Sequence, residues 1–187
     1  MNQKIYFISF LFLFLTGLFF SGCKDDNDSG DSEWKTENEV FFNNLASRSD
    51  LYRVDAGSGS GYLYYKVLKS GSADQKRPVY TDSINVYYTG ATLAGFDISG
   101  DTIVAGKWFD TSYIDGKYVE DGIYKPAGFR MNKLIEGWWV ALQEMRPGDK
   151  WQLYIPWQLG YKEAGSGTTI PGYSVLIFDV ELVSVIQ

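Results

Sequence analysis

The chain has 187 residues, 17 basic and 23 acidic side chains, a formal net charge of −6, no histidine and one cysteine. The acidic balance argues against nucleic acid as a partner, because phosphate binding requires a basic surface. The lack of histidine excludes Ser-His-Asp and Cys-His catalysis and His-ligated zinc, and one cysteine excludes an intrachain disulfide. Aromatic residues make up 17% of the chain. We therefore expect no metal and no cofactor, and a site that works with aromatic rings, carboxylates or groups that do not titrate.

Residues 1–22 are predicted to be a lipoprotein signal peptide. Lys4 precedes an apolar run, residues 5–20, that is short for a membrane span and has the order of a secretory signal. The run ends in Phe20-Ser21-Gly22-Cys23, which resembles a bacterial lipobox, where cleavage precedes a cysteine that is then lipidated. The alternatives are an ordinary signal peptide with an incidental cysteine, or a buried free thiol. We predict lipidation at Cys23 and a lipid-anchored outer-membrane location, on the periplasmic or cell-surface side.

Residues 23–33 are predicted to form an acidic tether. They are polar and contain glycine and serine, so that they cannot bury enough apolar surface to fold. Lys24-Asp25-Asp26, directly after the cysteine, resembles the acidic export signal of some surface lipoproteins of Gram-negative bacteria. It predicts display at the cell surface.

Residues 34–59 are predicted to be an N-terminal helical extension followed by a linker. Apolar side chains recur near helical spacing between residues 34 and 46, which favours a short amphipathic helix. Gly57-Ser58-Gly59-Ser60-Gly61 then breaks the pattern and is typical of a linker.

Residues 60–187 are predicted to form one α+β domain. Residues 62–68, 84–88, 151–155 and 174–185 are rich in β-branched and aromatic residues and predict strands. A single helix stands among them, ended by Arg146-Pro147-Gly148, and its apolar face carries Leu134, Ile135, Trp138, Leu142 and Met145. Several antiparallel strands with one amphipathic helix indicate a sheet with the helix on one face. Asp115-Gly116 predicts a tight hairpin.

A series of short motifs runs through this domain in a fixed order. They are Val86-Tyr87-Tyr88-Thr89-Gly90, Phe109-Asp110-Thr111-Ser112, Pro126-Ala127-Gly128-Phe129, Leu134-Ile135-Glu136-Gly137-Trp138, Ala141-Leu142-Gln143-Glu144-Met145, Gly148-Asp149-Lys150, Ile155-Pro156, Leu159-Gly160-Tyr161, Ile170-Pro171 and Leu176-Ile177-Phe178-Asp179-Val180-Glu181-Leu182. In this order they resemble the FKBP-type peptidyl-prolyl cis-trans isomerases, the immunophilins that bind macrolide immunosuppressants. No single motif is decisive, and the ordered set carries the resemblance.

The resemblance implies an antiparallel β-sheet wrapped around a short α-helix, with the active site between them. It implies proline-containing polypeptides as substrates and macrolides as possible inhibitors. The catalytic residues that it implies are Tyr88, Phe109, Asp110, Ile135, Trp138, Tyr161 and Phe178, and the further substrate-binding residues are Phe129, Leu134 and Ile170. Trp138 would be the floor of the proline pocket and Tyr161 a hydroxyl at its rim. Taken one at a time, these residues are more typical of a packed core, a turn or a cap.

An isomerase of this kind does not need histidine. Resonance holds a peptide bond planar with a rotational barrier of about 18–20 kcal/mol. Rotation about an X–Pro bond needs its twisted state to be favoured over the planar one, not a nucleophile. A dry aromatic pocket disfavours the more polar planar amide, and aromatic ring edges can face the rotating carbonyl oxygen.

The sequence also departs from the family. The segments between Gly90 and Phe109 and between Phe109 and Pro126 are longer than in minimal members, and Ala127 stands where many members have an aromatic ring. These differences leave one alternative to an active isomerase, a noncatalytic FKBP-like binding or chaperone module of a surface lipoprotein. Composition alone suggests another, a glycan-binding lipoprotein, since tyrosine and tryptophan also stack on sugars; the ordered motifs do not support it.

Overall fold

The structure is a computed structural model that describes residues 26–112 and 125–186. Helix α1 spans Asp26–Asn44 and helix α2 spans Glu136–Leu142. The strands are β1 (Tyr52–Asp55), β2 (Tyr62–Lys69), β3 (Ser83–Thr92), β4 (Phe96–Asp97), β5 (Thr102–Ile103), β6 (Asp110–Thr111), β7 (Ala127–Arg130), β8 (Lys150–Ile155) and β9 (Leu176–Ile186). In the described ranges no helix combines the length and apolar composition needed to cross a lipid bilayer. The predicted Asp115-Gly116 hairpin lies outside the described residues.

Within the described part of the chain, seven strands form one antiparallel sheet in the order β1-β2-β8-β9-β3-β6, with β7 also paired to β3. Strands β3 and β9 form the longest ladder, in which Tyr88 lies opposite Val180 and Gly90 opposite Phe178. Successive side chains of a strand point to opposite faces, so that one face of these strands is lined by alternate apolar residues. The α+β fold predicted from the sequence is the observed one.

Helix α2 covers the inner face of the sheet. Its residues Trp138, Ala141 and Leu142 are buried against apolar side chains of β3, β8 and β9. The helix approaches β8 closely at Gly137, where an added Cβ would lie 2.4 Å from Ile155 Cγ2. A larger residue at this position would force Ile155 or the helix to move. The close approach places the N-terminus of α2 beside Ile155, at the end of β8.

Helix α1 packs on the outer face of the same sheet. Phe41, Phe42 and Leu45 are buried in a second apolar cluster with Tyr64 and Tyr154, which point outward from β2 and β8. The predicted extension is thus an integral layer of the fold. The sheet lies between two helices, and each helix covers one of its faces.

The boundary predicted for the acidic tether is wrong. We expected residues 23–33 to be unstructured and the helix to begin at Trp34, whereas α1 begins at Asp26. The segment could not fold alone, but packing of the following turns against the sheet nucleates the helix. Each further residue then costs only a propagation step, even where it buries nothing. Residues 31–33 are accordingly helical and exposed.

The predicted linker is also corrected by the structure. Strand β1, which the sequence did not indicate, pairs with β2 so that Asp55 lies opposite Tyr62. The Gly/Ser run closes this hairpin, with the Ala56 N–H donating to the Gly61 carbonyl at 2.8 Å and Gly59 at φ 77°. Glycines are needed here for a turn within the sheet, not to separate two units.

The first of the two longer segments forms a small hairpin, β4 and β5, on the outer face. Phe96 packs edge-on against Phe41 of α1, with ring centroids 6.0 Å apart. Asp101 accepts hydrogen bonds from Arg48, Lys66 and the Tyr154 hydroxyl at 2.7–2.8 Å. These contacts hold the hairpin against the segment that follows α1 and against the sheet, on the face opposite α2.

Candidate active site

A cavity of about 190 Å³ opens at the N-terminus of α2. Its wall is made by strands β3, β6, β7 and β9, by the segment leading into α2 and by the loop before β9. The lining residues are Tyr88, Phe109, Asp110, Phe129, Lys133, Leu134, Ile135, Trp138, Tyr161 and Phe178. Nine of the ten residues that the sequence predicted for the domain's site are therefore brought together in space.

Trp138 lies at the bottom of this cavity and is 4% exposed. Three rings stand nearly perpendicular to its indole, with centroids 5.1–5.9 Å away and interplanar angles of 82–86°. They belong to Tyr88, Phe129 and Phe178. Edge-to-face contacts of this kind are favourable because the positive ring edge meets the negative ring face. The indole is therefore held rigidly by its neighbours as a flat apolar floor.

The wall formed by Phe109 and Phe178 depends on a glycine. The two rings meet edge to face, with centroids 5.5 Å apart. Gly90, opposite Phe178 in the β3–β9 ladder, leaves the space that both rings occupy. An added Cβ there would lie 2.3 Å from Phe178 Cε1 and 2.9 Å from Phe109 Cζ.

Tyr88 and Asp110 form the polar pair of the cavity. The Tyr88 hydroxyl donates to Asp110 Oδ2 at 2.7 Å, and β6 is held beside β3 by the Phe109 N–H, which donates to the Gly90 carbonyl at 2.8 Å. Burial, and then the hydrogen bond to Asp110, raise the pKa of Tyr88 well above its ordinary value. The phenol therefore stays protonated at neutral pH and keeps the carboxylate occupied.

The segment leading into α2 presents a backbone donor. Ile135 is the N-cap of α2, and its carbonyl accepts from the Trp138 N–H at 3.0 Å. Its own N–H has no hydrogen-bond acceptor among residues 26–112 and 125–186. Leu134 is held in front of it by a 3.2 Å hydrogen bond from its N–H to the Met131 carbonyl. An unpaired N–H beside an apolar floor is suited to holding the backbone of an extended peptide.

The rim contains one predicted residue and one that sequence reasoning missed. Tyr161 is 36% exposed, and its pKa is raised by burial and then by the charge of Asp110. Lys133 lines the cavity and has no carboxylate partner in the part of the chain that the structure describes. Lys133 lies two residues before the N-cap and belongs to none of the sequence motifs. Only the fold shows that it reaches the cavity.

Ile170 does not line the cavity. It is 6% exposed and packs in the main core, where its N–H and carbonyl bridge to Ser166. Ile170 is the apolar side chain through which this loop packs against the core. The predicted contact of Ile170 with substrate is therefore not supported by its position.

The two adjacent tryptophans of α2 have different surroundings, as their spacing on a helix predicts. Trp139 does not line the cavity and packs edge-on against Tyr80, with ring centroids 5.3 Å apart. It makes its contact on the side of the helix away from the aromatic floor.

Comparisons with known proteins agree with this geometry. A family model described as FKBP-type peptidyl-prolyl cis-trans isomerase matches residues 74–183. The chain is 33% identical over 195 residues to the macrophage infectivity potentiator of Trypanosoma cruzi, covering 99% of this chain and 87% of that protein. It is 29% identical over 153 residues to the outer membrane protein MIP of Legionella longbeachae, covering 82% of this chain and 54% of that protein. The chain thus spans about half the length of this bacterial relative.

A solved structure shares the fold. The crystal structure of a peptidyl-prolyl cis-trans isomerase from Pseudomonas syringae superposes with a TM-score of 0.63 at 25% identity, covering 83% of this chain and 96% of that one. The match of the family model, the long alignment to the trypanosome protein and the aromatic cavity agree with the family and the enzyme class predicted from the ordered motifs. The chain belongs to the FKBP-type peptidyl-prolyl cis-trans isomerases.

Proposed function

We propose that the aromatic cavity accelerates rotation about X–Pro bonds in exported or surface polypeptides, without covalent chemistry. The observation that carries the proposal is the floor of Trp138, enclosed by perpendicular rings and bordered by the unpaired N–H of Ile135. The cavity, at about 190 Å³, is smaller than the roughly 300–1,000 Å³ typical of sites for drug-sized ligands. It suits a small flat group such as a prolyl ring.

In this mechanism the prolyl ring lies on the indole of Trp138. The Ile135 N–H binds the backbone next to the proline and holds the chain while the X–Pro bond turns. Twisting breaks the amide resonance and leaves a less polar group, which a dry aromatic site disfavours less than the planar amide. The ring edges of Phe109 and Phe178 provide partial positive charge for the rotating carbonyl oxygen.

Asp110 and the two tyrosines have positioning roles in this proposal. Asp110 holds the hydroxyl of Tyr88 and thereby the ring that stands beside the floor. Tyr161 closes the rim and offers a hydroxyl to the substrate backbone. No proton is transferred in the reaction, which is consistent with a chain that lacks histidine.

The deciding experiment measures isomerisation of a short X–Pro peptide by the purified chain, using exchange between cis and trans signals in NMR. We expect acceleration over solvent at catalytic protein concentrations, and competition by a macrolide that occupies the same cavity. The proposal would be refuted by an isomerisation rate equal to the uncatalysed rate in solvent, if circular dichroism showed that the sample is folded. Binding of the peptide without acceleration would instead identify a noncatalytic module.

We further propose that the protein is attached to a membrane outside the cytoplasm by a lipid on Cys23. The apolar run before this cysteine supports the proposal, as does the name of the Legionella relative, outer membrane protein MIP. Cys23→Ser should release the protein from the membrane fraction or block its maturation. Asp25→Ala with Asp26→Ala should keep the lipid and reduce cleavage by external protease. Unchanged fractionation in the first variant, or unchanged cleavage in the second, contradicts the respective part.

A further inference from the structure

The loop between β8 and β9, residues 156–175, carries Tyr161 to the rim of the cavity. The regular structure described in this loop is a 3₁₀ turn at Trp157–Leu159 and a bridge between Ser166 and Ile170. A connection of this length must be held by contacts outside itself if one of its side chains is to keep a fixed position.

The loop also contains strained backbone. Lys162 and Tyr173 have φ values of 57° and 60°, in the left-handed region that side chains other than glycine disfavour. The two residues are tied together, because the Tyr173 N–H donates to the Lys162 carbonyl at 3.0 Å. Strained conformations persist only where the surrounding structure over-determines them. The surroundings of these two residues therefore decide where the adjacent Tyr161 lies.

Helix α1 holds the end of the loop that leads into β9. The Val175 N–H donates to Asn38 Oδ1 at 2.8 Å, and Asn38 Nδ2 donates to the Trp34 carbonyl at 2.8 Å. Asn38 is completely buried and Val175 is 1% exposed. The Trp34 indole N–H donates to Ser174 Oγ at 3.2 Å. A polar side chain buried this deeply, with both of its amide atoms used, is a specific connection between helix and loop.

The same helix holds the beginning of the loop. The Trp157 indole N–H donates to Glu39 Oε1 at 3.4 Å, and the rings of Trp157 and Tyr173 meet edge to face at 5.1 Å. The Lys35 ammonium lies 4.7 Å from the ring centroid of Tyr173 and 5.8 Å from that of Trp157. One face of α1, formed by Trp34, Lys35, Asn38 and Glu39, thus contacts both ends of the loop at the point where they meet.

We propose that α1 is a positioning element of the active site, with Asn38 as its central residue. It acts through the base of the loop: the Lys162 N–H donates to the Trp157 carbonyl at 2.9 Å, so that the residue following Tyr161 is tied to the part that α1 holds. The N-terminal extension thereby sets the rim that contacts substrate. This inference rests on the proposed function of the cavity, since it assigns a role to Tyr161 in it.

A double-mutant cycle on the full chain tests the inference. Asn38→Leu keeps the volume of the side chain and removes the acceptor of Val175. In the wild-type background it should lower kcat/KM by about 10-fold, mainly by raising KM, because a displaced rim no longer meets the substrate. In a Tyr161→Ala background the same substitution should change kcat/KM by less than about twofold, since the residue through which it acts is gone. Equal effects in both backgrounds overturn the inference.

A second pair of variants keeps the test valid if Asn38→Leu fails to fold. Glu39→Ala removes the acceptor of Trp157, whereas Glu37→Ala, two residues earlier on the same helix, changes an exposed side chain that takes no part in the contacts between α1 and the loop. Glu39→Ala should raise KM and shift the NMR signals of the Tyr161 ring, and Glu37→Ala should do neither. Unchanged Tyr161 signals in Glu39→Ala overturn the inference. The NMR signals of Tyr161 are measured without turnover. An inactive wild-type chain would therefore refute the proposed function, whereas the Tyr161 signals would still test whether α1 positions the loop.

Discussion

Replacing Trp138 by leucine removes the floor of the cavity while keeping an apolar residue that suits a helix. The indole loses three edge-to-face contacts, those with Tyr88, Phe129 and Phe178. Each such pair contributes about 0.5–1.5 kcal/mol beyond area burial, and truncating a buried tryptophan to alanine costs about 3–5 kcal/mol. Leucine restores part of that volume. We therefore expect the free energy of unfolding to fall by about 2–4 kcal/mol, within the roughly 5–15 kcal/mol typical of a domain.

Trp138→Leu should lower turnover in protein that remains folded. Loss of the surface beneath the prolyl ring should reduce kcat/KM by at least about 30-fold, equivalent to about 2 kcal/mol of transition-state stabilisation. The assay is NMR exchange of an X–Pro peptide at a temperature where circular dichroism shows each variant to be folded.

Trp139→Leu is the matched control, on the next residue of the same helix. It removes the edge contact with Tyr80, which should cost about 1 kcal/mol of stability and leave kcat/KM within about twofold of wild type. If Trp139→Leu abolished activity in a folded protein while Trp138→Leu did not, the assignment of the floor would be refuted.

Three further predictions concern the wall, the rim and the outer face. Gly90→Ala places a Cβ 2.3 Å from Phe178 Cε1, so that thermal unfolding should show a loss of about 1–3 kcal/mol; an unchanged Tm would contradict this. Lys133→Glu should lower kcat/KM for a Glu-Pro peptide relative to a Lys-Pro peptide, with a difference that shrinks in salt; equal changes for both peptides would show that this charge does not face the substrate. Hydrogen bonds from Arg48 hold the pKa of Asp101 well below its usual range. A carboxyl group whose pKa is depressed in the folded state stabilises the fold at pH values above its ordinary pKa of about 4, and this stabilisation is lost as the pH falls. Asp101→Asn should therefore flatten the acid limb of the curve of stability against pH. An unaltered acid limb would argue against the ion pair.

The central strands and helix α2 could be predicted from local patterns. Strands β3, β8 and β9 each contain an alternating or continuous apolar run, and the sequence of α2 shows helical spacing that ends at Arg146-Pro147-Gly148. Such patterns are reliable because each of these elements buries one face in the same core. The observed bounds differ from the predicted ones by at most a few residues, chiefly at β3, which continues to Thr92. A strand can extend past its apolar run when a partner strand supplies the hydrogen bonds.

The ends of the extension could not be predicted in this way. Strand β1 has mostly exposed side chains, so its pairing with β2 leaves no apolar pattern. Residues 31–33 of α1 are exposed, and their helical conformation depends on packing that occurs further along the helix. In both cases the order comes from a partner distant in sequence, and propensity alone does not register it.

The ordered set of motifs along the chain determined the family, the fold class and nine of the ten residues that surround the cavity. Tertiary structure alone decided that Ile170 packs in the core, that Lys133 reaches the rim and that α1 contacts the loop carrying Tyr161. The reason is physical: a motif specifies which residue types a local backbone can present, whereas the direction of a loop side chain depends on contacts with distant segments. The hydrogen bond between Val175 and Asn38 joins residues 137 positions apart, and no local pattern in either segment indicates the other.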